Sequence, residues 1–151
     1  VAKPRTLPFG NFKVYLGDGA TPEVFSLPCG FTKESLKISN ASSSTVVPDC
    51  DDPMAAAWEE RAVSAISAQV SGSGVLAMAA LATWRAWALS GQSKNIRVMF
   101  DDTGANGGGY FQGAAILSDW SSDADRTANG GRTQISVTID NDGEWTWIDN
   151  A

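Results

Sequence analysis

The chain has 151 residues, 43% of them hydrophobic, and a formal net charge of −6 from 11 Lys and Arg against 17 Asp and Glu. It has no basic tract, so it lacks the clustered cations with which nucleic-acid-binding proteins neutralise phosphates. It has no histidine, which removes Ser/His and Cys/His nucleophile pairs and the commonest general base near neutral pH. The composition therefore points away from an enzyme. Charged residues are 19% of the chain, below the average of about 25%, which suggests that partners cover part of its surface.

Residues 1–9 (VAKPRTLPF) hold two prolines between cations and read as an extended arm. They contain no apolar signal-peptide core, so synthesis in the cytoplasm is expected. Phe12 to Leu16 is a strand, turned by Gly17-Asp18-Gly19-Ala20 into a short partner at Glu23 to Leu27. Phe31 to Ser39 alternates, with Leu36 and Ile38 on one side and Ser35, Lys37 and Ser39 on the other. Asn40 to Trp58 is polar and broken by proline, and reads as a long loop. It carries Val46, Val47, Met54 and Trp58, which is unusual for disorder and suggests that the loop docks onto something. Cys29 and Cys50 are the only cysteines and read as free thiols rather than a disulfide framework.

From Arg61 to Val70 a strand sets Ile66, Ala68 and Val70 against Ser67, Gln69 and Ser71. Ser71-Gly72-Ser73-Gly74 reads as a turn, with Ser73 as N-cap of a helix from about Val75 to Leu89 and Gly91 as its left-handed C-cap. The expected buried face is Val75, Met78, Ala82 and Leu89, with Leu81, Trp84 and Ala88 beside it. Arg85 is its one charge, and a helix this apolar is expected to lie on a sheet. No apolar run is long enough to span a membrane, so no membrane insertion is expected.

Asn95 to Phe100 is a strand, Asp101 to Gly109 a flexible turn, and Tyr110 to Leu117 a strand in which Gly113 marks a bulge or close approach. Ser118 to Arg132 reads as a surface loop. Gln134 to Asp140 alternates cleanly, with Ile135, Val137 and Ile139 inward and Gln134, Ser136 and Thr138 outward. Asn141-Asp142-Gly143 then predicts a hairpin into Glu144 to Ile148. About eight strands and one helix are expected in a single domain, 1–151.

Little of this carries chemistry. Asp49, Asp51 and Asp52, like Asp101 and Asp102, read either as hard-cation ligands or as loop aspartates binding their own backbone. Neither cluster has the spacing of a known cation loop, so no metal or cofactor is expected. Gly104 to Gly109 lacks the Lys-Ser/Thr of a phosphate loop. Trp145 and Trp147 share a strand face and Trp120 follows another strand, which fits a sugar-stacking platform or, alternatively, core and interface packing.

In order along the chain, KVYLGDG, FTKESLKIS, a long loop ending in VVPDCDDPMAAAWEE, SAISAQVSGSGVL, one helix and TQISVTIDNDGEWTW resemble the major tail tube protein of long-tailed (siphovirus-type) bacteriophages and gene transfer agents. The resemblance covers most of the chain. It implies a mainly β fold, a β-sandwich or partial barrel of about eight strands flanked by a helix. It also implies hexameric rings stacked into a virion tail tube, with one sheet per subunit joining an inner barrel. Residues 40–60 would reach the adjoining ring, making Val46, Val47, Asp49, Asp51, Asp52, Met54 and Trp58 the candidate contacts. Further partners would be tape measure and tail tip or terminator proteins, with assembly in the bacterial host cytoplasm. DNA would transit the bore without specific binding. The small, mostly uncharged faces Ser35, Lys37 and Ser39, Ser67, Gln69 and Ser71, and Gln134, Ser136 and Thr138 are the candidate lumen lining, because they offer phosphate few anchors. The tube of a contractile injection machine is a close relative, and a carbohydrate-binding β-sandwich is the alternative of another class.

Overall fold

The computed structural model describes residues 2–151, so Val1 of the expected arm lies outside the described residues. The chain forms two compact units: residues up to 36 with 69–151, and residues 37–68. Among the described residues eight strands, β1 (Phe12–Gly17), β2 (Phe25–Ser26), β3 (Phe31–Val46), β4 (Glu59–Val75), β5 (Lys94–Phe100), β6 (Gly109–Asp123), β7 (Gln134–Asn141) and β8 (Thr146–Asp149), accompany one α-helix, α1 (Met78–Ser90). They form one sheet in the order β2-β1-β5-β6-β7-β4-β3, with β8 also on β6.

In the larger unit, antiparallel register puts the apolar alternates of each strand on one face. Val14 lies opposite Val98 and Leu16 opposite Ile96. Val98 lies opposite Phe111, Leu117 opposite Ile139, and Val70 opposite Ile139. Residues directly opposed across a ladder share a face. Onto this face α1 lays Ala80, Trp84 and Trp87, closing a core that also holds Val14, Leu16, Val98 and Ala115. Trp84 packs edge-on to Phe31 with centroids 5.7 Å apart and stacks against Trp87 at 6.1 Å. The Trp87 indole N–H donates to the Gln92 carbonyl at 2.9 Å, which satisfies its one polar atom.

The buried helix face differs from the expected one. Met78 and Leu89 are 72% and 82% exposed, whereas Trp84 and Trp87 are 1% and 3% exposed. The helix is apolar nearly all round, so periodicity alone does not choose a face; the two indoles bury the most area and win. Its start differs too. β4 runs on through Ser71–Gly74 to Val75, and Ala77 is the N-cap, with no side-chain hydrogen bond. Gly74 lacks a side chain because the backbone of β3 passes over it, not because the chain turns there. A Cβ on Gly74 would sit 2.7 Å from the Thr32 nitrogen and 2.8 Å from the Phe31 Cα. The Val75 N–H donates to the Gly30 carbonyl at 2.9 Å and keeps the strand going. Gly91 takes the expected left-handed conformation, with φ 63°.

Two further expectations change at the C-terminal end. Ser118 to Asp123 is strand, not loop: the register of β6 against β7 shifts between Leu117 and Asp119, and pairing continues to Asp123. The shift breaks the alternation that marks a strand in sequence. Asn141-Asp142-Gly143 is not a hairpin turn. β8 pairs with β6, Thr146 opposite Gln112 and Asp149 opposite Gly109. β7 lies on β6 from Ala115 onward. The two strands therefore follow one another antiparallel to β6, separated by a jog. In the jog the Asp142 N–H donates to the Ala114 carbonyl, Asn141 Nδ2 to the Gly143 carbonyl, and Gly143 has φ 101°. The glycine serves a local kink instead of a chain reversal. Gly113 is a close approach, as expected: Trp145 Cγ and Nε1 would lie 2.9 Å from a Cβ there.

The smaller unit holds residues 37–46 of β3, 59–68 of β4 and the connection between them. The loop expected over 40–60 is shorter, because β3 continues to Val46 and β4 begins at Glu59. Asn40 to Thr45 shows no alternation because this ribbon has no buried face to impose one; its residues are exposed apart from Ala68 and half-buried Ser39. Side-chain bonds cross it, Ser64 Oγ donating to the Ala41 carbonyl at 3.1 Å.

Candidate functional site

The face of the sheet opposite the helix is built from the polar alternates. Ser71 lies opposite Thr138, Gln69 opposite Asp140, and Ser73 opposite Ser136. On the far side of β7, Asp119 lies opposite Thr138, Ser121 opposite Ser136, and Asp123 opposite Gln134. Ser35 joins them through a hydroxyl–hydroxyl hydrogen bond to Ser71. Six of the candidates, Ser35, Gln69, Ser71, Gln134, Ser136 and Thr138, thus share one surface. Lys33, Ser35, Ser71, Ser73 and Ser136 line a shallow depression of about 140 Å³ in it. The other three, Lys37, Ser39 and Ser67, lie in the smaller unit, where Ser67 Oγ donates to the Ser39 carbonyl at 3.5 Å. The other polar groups are engaged within the sheet as well: Gln69 Nε2 donates to Asp140 Oδ1 at 3.2 Å, and Ser118 Oγ to the Thr138 carbonyl at 3.1 Å.

The same face continues across β6, β5 and β1, where sequence reading singled out nothing. Ile116 lies opposite Asp140, Gln112 opposite Arg97, and Arg97 opposite Tyr15. Here the Arg97 guanidinium is 3.9 Å from the centroid of the Phe25 ring and 4.9 Å from that of Tyr110. Its Nε donates to Gln112 Oε1 at 3.0 Å. Lys13 Nζ donates to Asp101 Oδ2 at 2.8 Å. That hydrogen bond is the largest cause of the raised Lys13 pKa, so the amine stays charged. Alternation within one strand does not reveal such a cluster, since it draws on four strands and appears only with the register.

The expected contact residues gather in the smaller unit, at the end of β3 and in the connection 47–58. Val46, Val47, Met54 and Trp58 are all exposed, the last two at 94% and 90%. Asp49 Oδ1 accepts the Asp51 and Asp52 backbone N–H groups at 2.8 and 3.4 Å, the self-binding arrangement of a loop aspartate. Among the described residues no group of three or more His, Cys, Asp or Glu is placed to hold a metal ion. Cys29 and Cys50 are free and exposed. Among the described residues no helix is long and apolar enough to cross a membrane.

The aromatic pair weighed as a sugar platform is committed elsewhere. Trp145 is half-buried and donates its indole N–H to the Ala114 carbonyl at 2.8 Å. Trp147 packs edge-on to Phe111 at 4.9 Å and donates to Asp149 Oδ1. The N-terminal arm is anchored by Arg5, whose Nε and Nη2 reach the two oxygens of Asp102 at 2.6 and 2.9 Å. Arg5, with help from the Thr103 N–H, holds the Asp102 carboxyl down at about 2.

The fold is similar to that of chains in solved tail and tube structures. Over 95% of this chain and 99% of the other, the chain is 16% identical, with a TM-score of 0.73, to a chain from the tail of an empty gene transfer agent particle refined with C6 symmetry. It matches the SPP1 tail tube at 10% identity and TM-score 0.61, over 96% and 80% of the two chains. It also matches a chain of the sheath–tube complex of an extracellular contractile injection system at 14% and 0.62, over 95% and 92%. No curated protein matches by sequence. The model of the phage tail tube protein family matches residues 10–146. The chain belongs to that family, and its role is that of a structural tail tube protein.

Proposed function

We propose that six copies close into a ring, that rings stack into a tube, and that the sheet face bearing Ser71, Ser136 and Thr138 lines the bore through which DNA passes. The observation that carries the reading is that face itself. It is assembled from β3, β4, β6 and β7, is dominated by short neutral side chains, and its acidic members Asp119, Asp123 and Asp140 outnumber its cation Lys33. Such a surface repels phosphate and gives it few hydrogen-bonding anchors. Ring closure has a physical basis in the edges. β3 ends the sheet order on one side, and on the other the two-residue β2 pairs only with Leu16 and Gly17 of β1. Joining these edges between copies satisfies backbone groups that are otherwise open. The exposed Val46, Val47, Met54 and Trp58, with Asp49, Asp51 and Asp52, contact the adjoining ring in this reading. Tape measure and terminator proteins would meet the bore and the ends of the tube, and assembly would occur in the host cytoplasm before the tube joins the virion. The protein performs no catalysis.

The test is to place Ser136→Arg with Thr138→Arg in an infectious particle. Intact tails that deliver DNA poorly support the assignment. Intact tails with unchanged delivery overturn it.

A further inference from the structure

We infer that Phe25, Tyr110 and Gln112 form a holding device that keeps Arg97 from gripping the phosphate backbone of nucleic acid moving past this face. The inference rests on the lumen reading above. An arginine grips phosphate by presenting its planar fork outward, so that two N–H groups meet two oxygens. Arg97 is denied that freedom. Its Nε is committed to Gln112 Oε1 at 3.0 Å. Its guanidinium is flanked by the Phe25 and Tyr110 rings at 3.9 and 4.9 Å. Phe25 of β2 pairs opposite Gly17 of β1, and Tyr110 of β6 opposite Met99 of β5. Two strands thus supply the rings that fix one cation lying on a third. The nearby Lys13 is held in another way, by Asp101. The charge of Arg97 remains, while its committed Nε and its packing against two rings restrain the side chain. For a conduit this matters, because a single outward-reaching arginine per subunit is repeated around every ring, and each phosphate contact adds to the drag on the cargo.

The device predicts a gain of function on damage. The full-length chain is mixed with a duplex of about 30 base pairs, and anisotropy is followed from about 50 to 200 mM salt. One freed phosphate contact steepens the salt dependence by about 0.9, so affinity falls about three- to fourfold more across that range than for the unsubstituted chain. Phe25→Leu and Tyr110→Leu, which keep apolar bulk, should each bind tighter and show that steeper fall. Arg97→Gln added to either should remove the gain, and the exposed Lys33 contributes equally in every variant. Binding unchanged in both single variants, or a gain that survives Arg97→Gln, overturns the inference. A separate arm isolates the reading beneath it. In assembled tubes of a chain carrying Cys29→Ser and Cys50→Ser, which removes the two free exposed thiols, Ser136→Cys should react with a small maleimide and resist a large polymer-linked one. Equal reaction with both places this face outside the bore and ends the role assigned to Arg97, while the anisotropy still reports whether the residue is held.

Discussion

Replacing Trp84 by alanine removes the side chain that joins α1 to the sheet. The indole is 1% exposed, meets Phe31 edge-on at 5.7 Å and stacks on Trp87 at 6.1 Å. A buried Trp→Ala change costs about 3–5 kcal/mol, made up of lost transfer energy and the cavity left behind. With a domain stability of about 5–15 kcal/mol, that is a large share of the whole. At about 2–4 °C per kcal/mol for a chain of this size, the midpoint should fall by roughly 6–20 °C. Leu89→Ala is the contrast. Leu89 is on the face expected from sequence to be buried, yet it is 82% exposed, so its loss should stay within about 0.5 kcal/mol. Both are read by thermal and urea unfolding of the unassembled chain, following far-UV circular dichroism. Equal costs for the two, or a larger cost for Leu89, would refute the placement of the helix.

Three other outcomes follow from single groups. Gly74→Ala should destabilise by about 1–3 kcal/mol or more in urea unfolding, since the added carbon meets the backbone of Thr32 and Phe31 rather than a movable side chain; a neutral result would contradict the close approach. Burial raises the Glu34 carboxyl above its ordinary 4.5, so the folded state pays for its ionised form at neutral pH and is relieved as pH falls through the raised value. Glu34→Gln should therefore raise the melting midpoint at pH 7 and lose that advantage below about pH 4. Asp102 has the opposite sign. Its carboxyl sits at about 2, so its contribution is present above the ordinary 3.8 and is lost only as pH falls through about 2. In Arg5→Ala, titration by NMR should show this group moving back up while staying below 3.8, because the Thr103 N–H still binds it; an unmoved value would mean that the arm is not anchored there.

Much of the fold is legible from alternation. Ile135, Val137 and Ile139 against Gln134, Ser136 and Thr138 describe both faces of β7 correctly, because each face meets one environment along its length. The misreadings share a cause. Gly72, Gly74 and Gly143 look like turn residues, but Gly72 and Gly74 answer to the ring and backbone of Phe31, distant in sequence, and Gly143 to the jog between β7 and β8, which Asp142 ties to Ala114 of β6. Ser118 hides a strand because a register shift resets the pattern beside it. The helix face is misread because Met78, Leu89 and the tryptophans are all apolar, and the choice depends on which fit the sheet. Of the candidate site, the serine and threonine faces were visible strand by strand. Their union, and the Phe25–Arg97–Tyr110 cluster beside them, depends on register that no single segment carries.

Cryo-electron microscopy of the purified full-length chain under assembling conditions tests the central claim most directly. The account predicts six-fold tubes in which Ser71, Ser136 and Thr138 face the bore and α1 lies on the other side of the sheet. Tubes with α1 toward the bore, or a chain that stays a solitary particle under every condition tried, would contradict it.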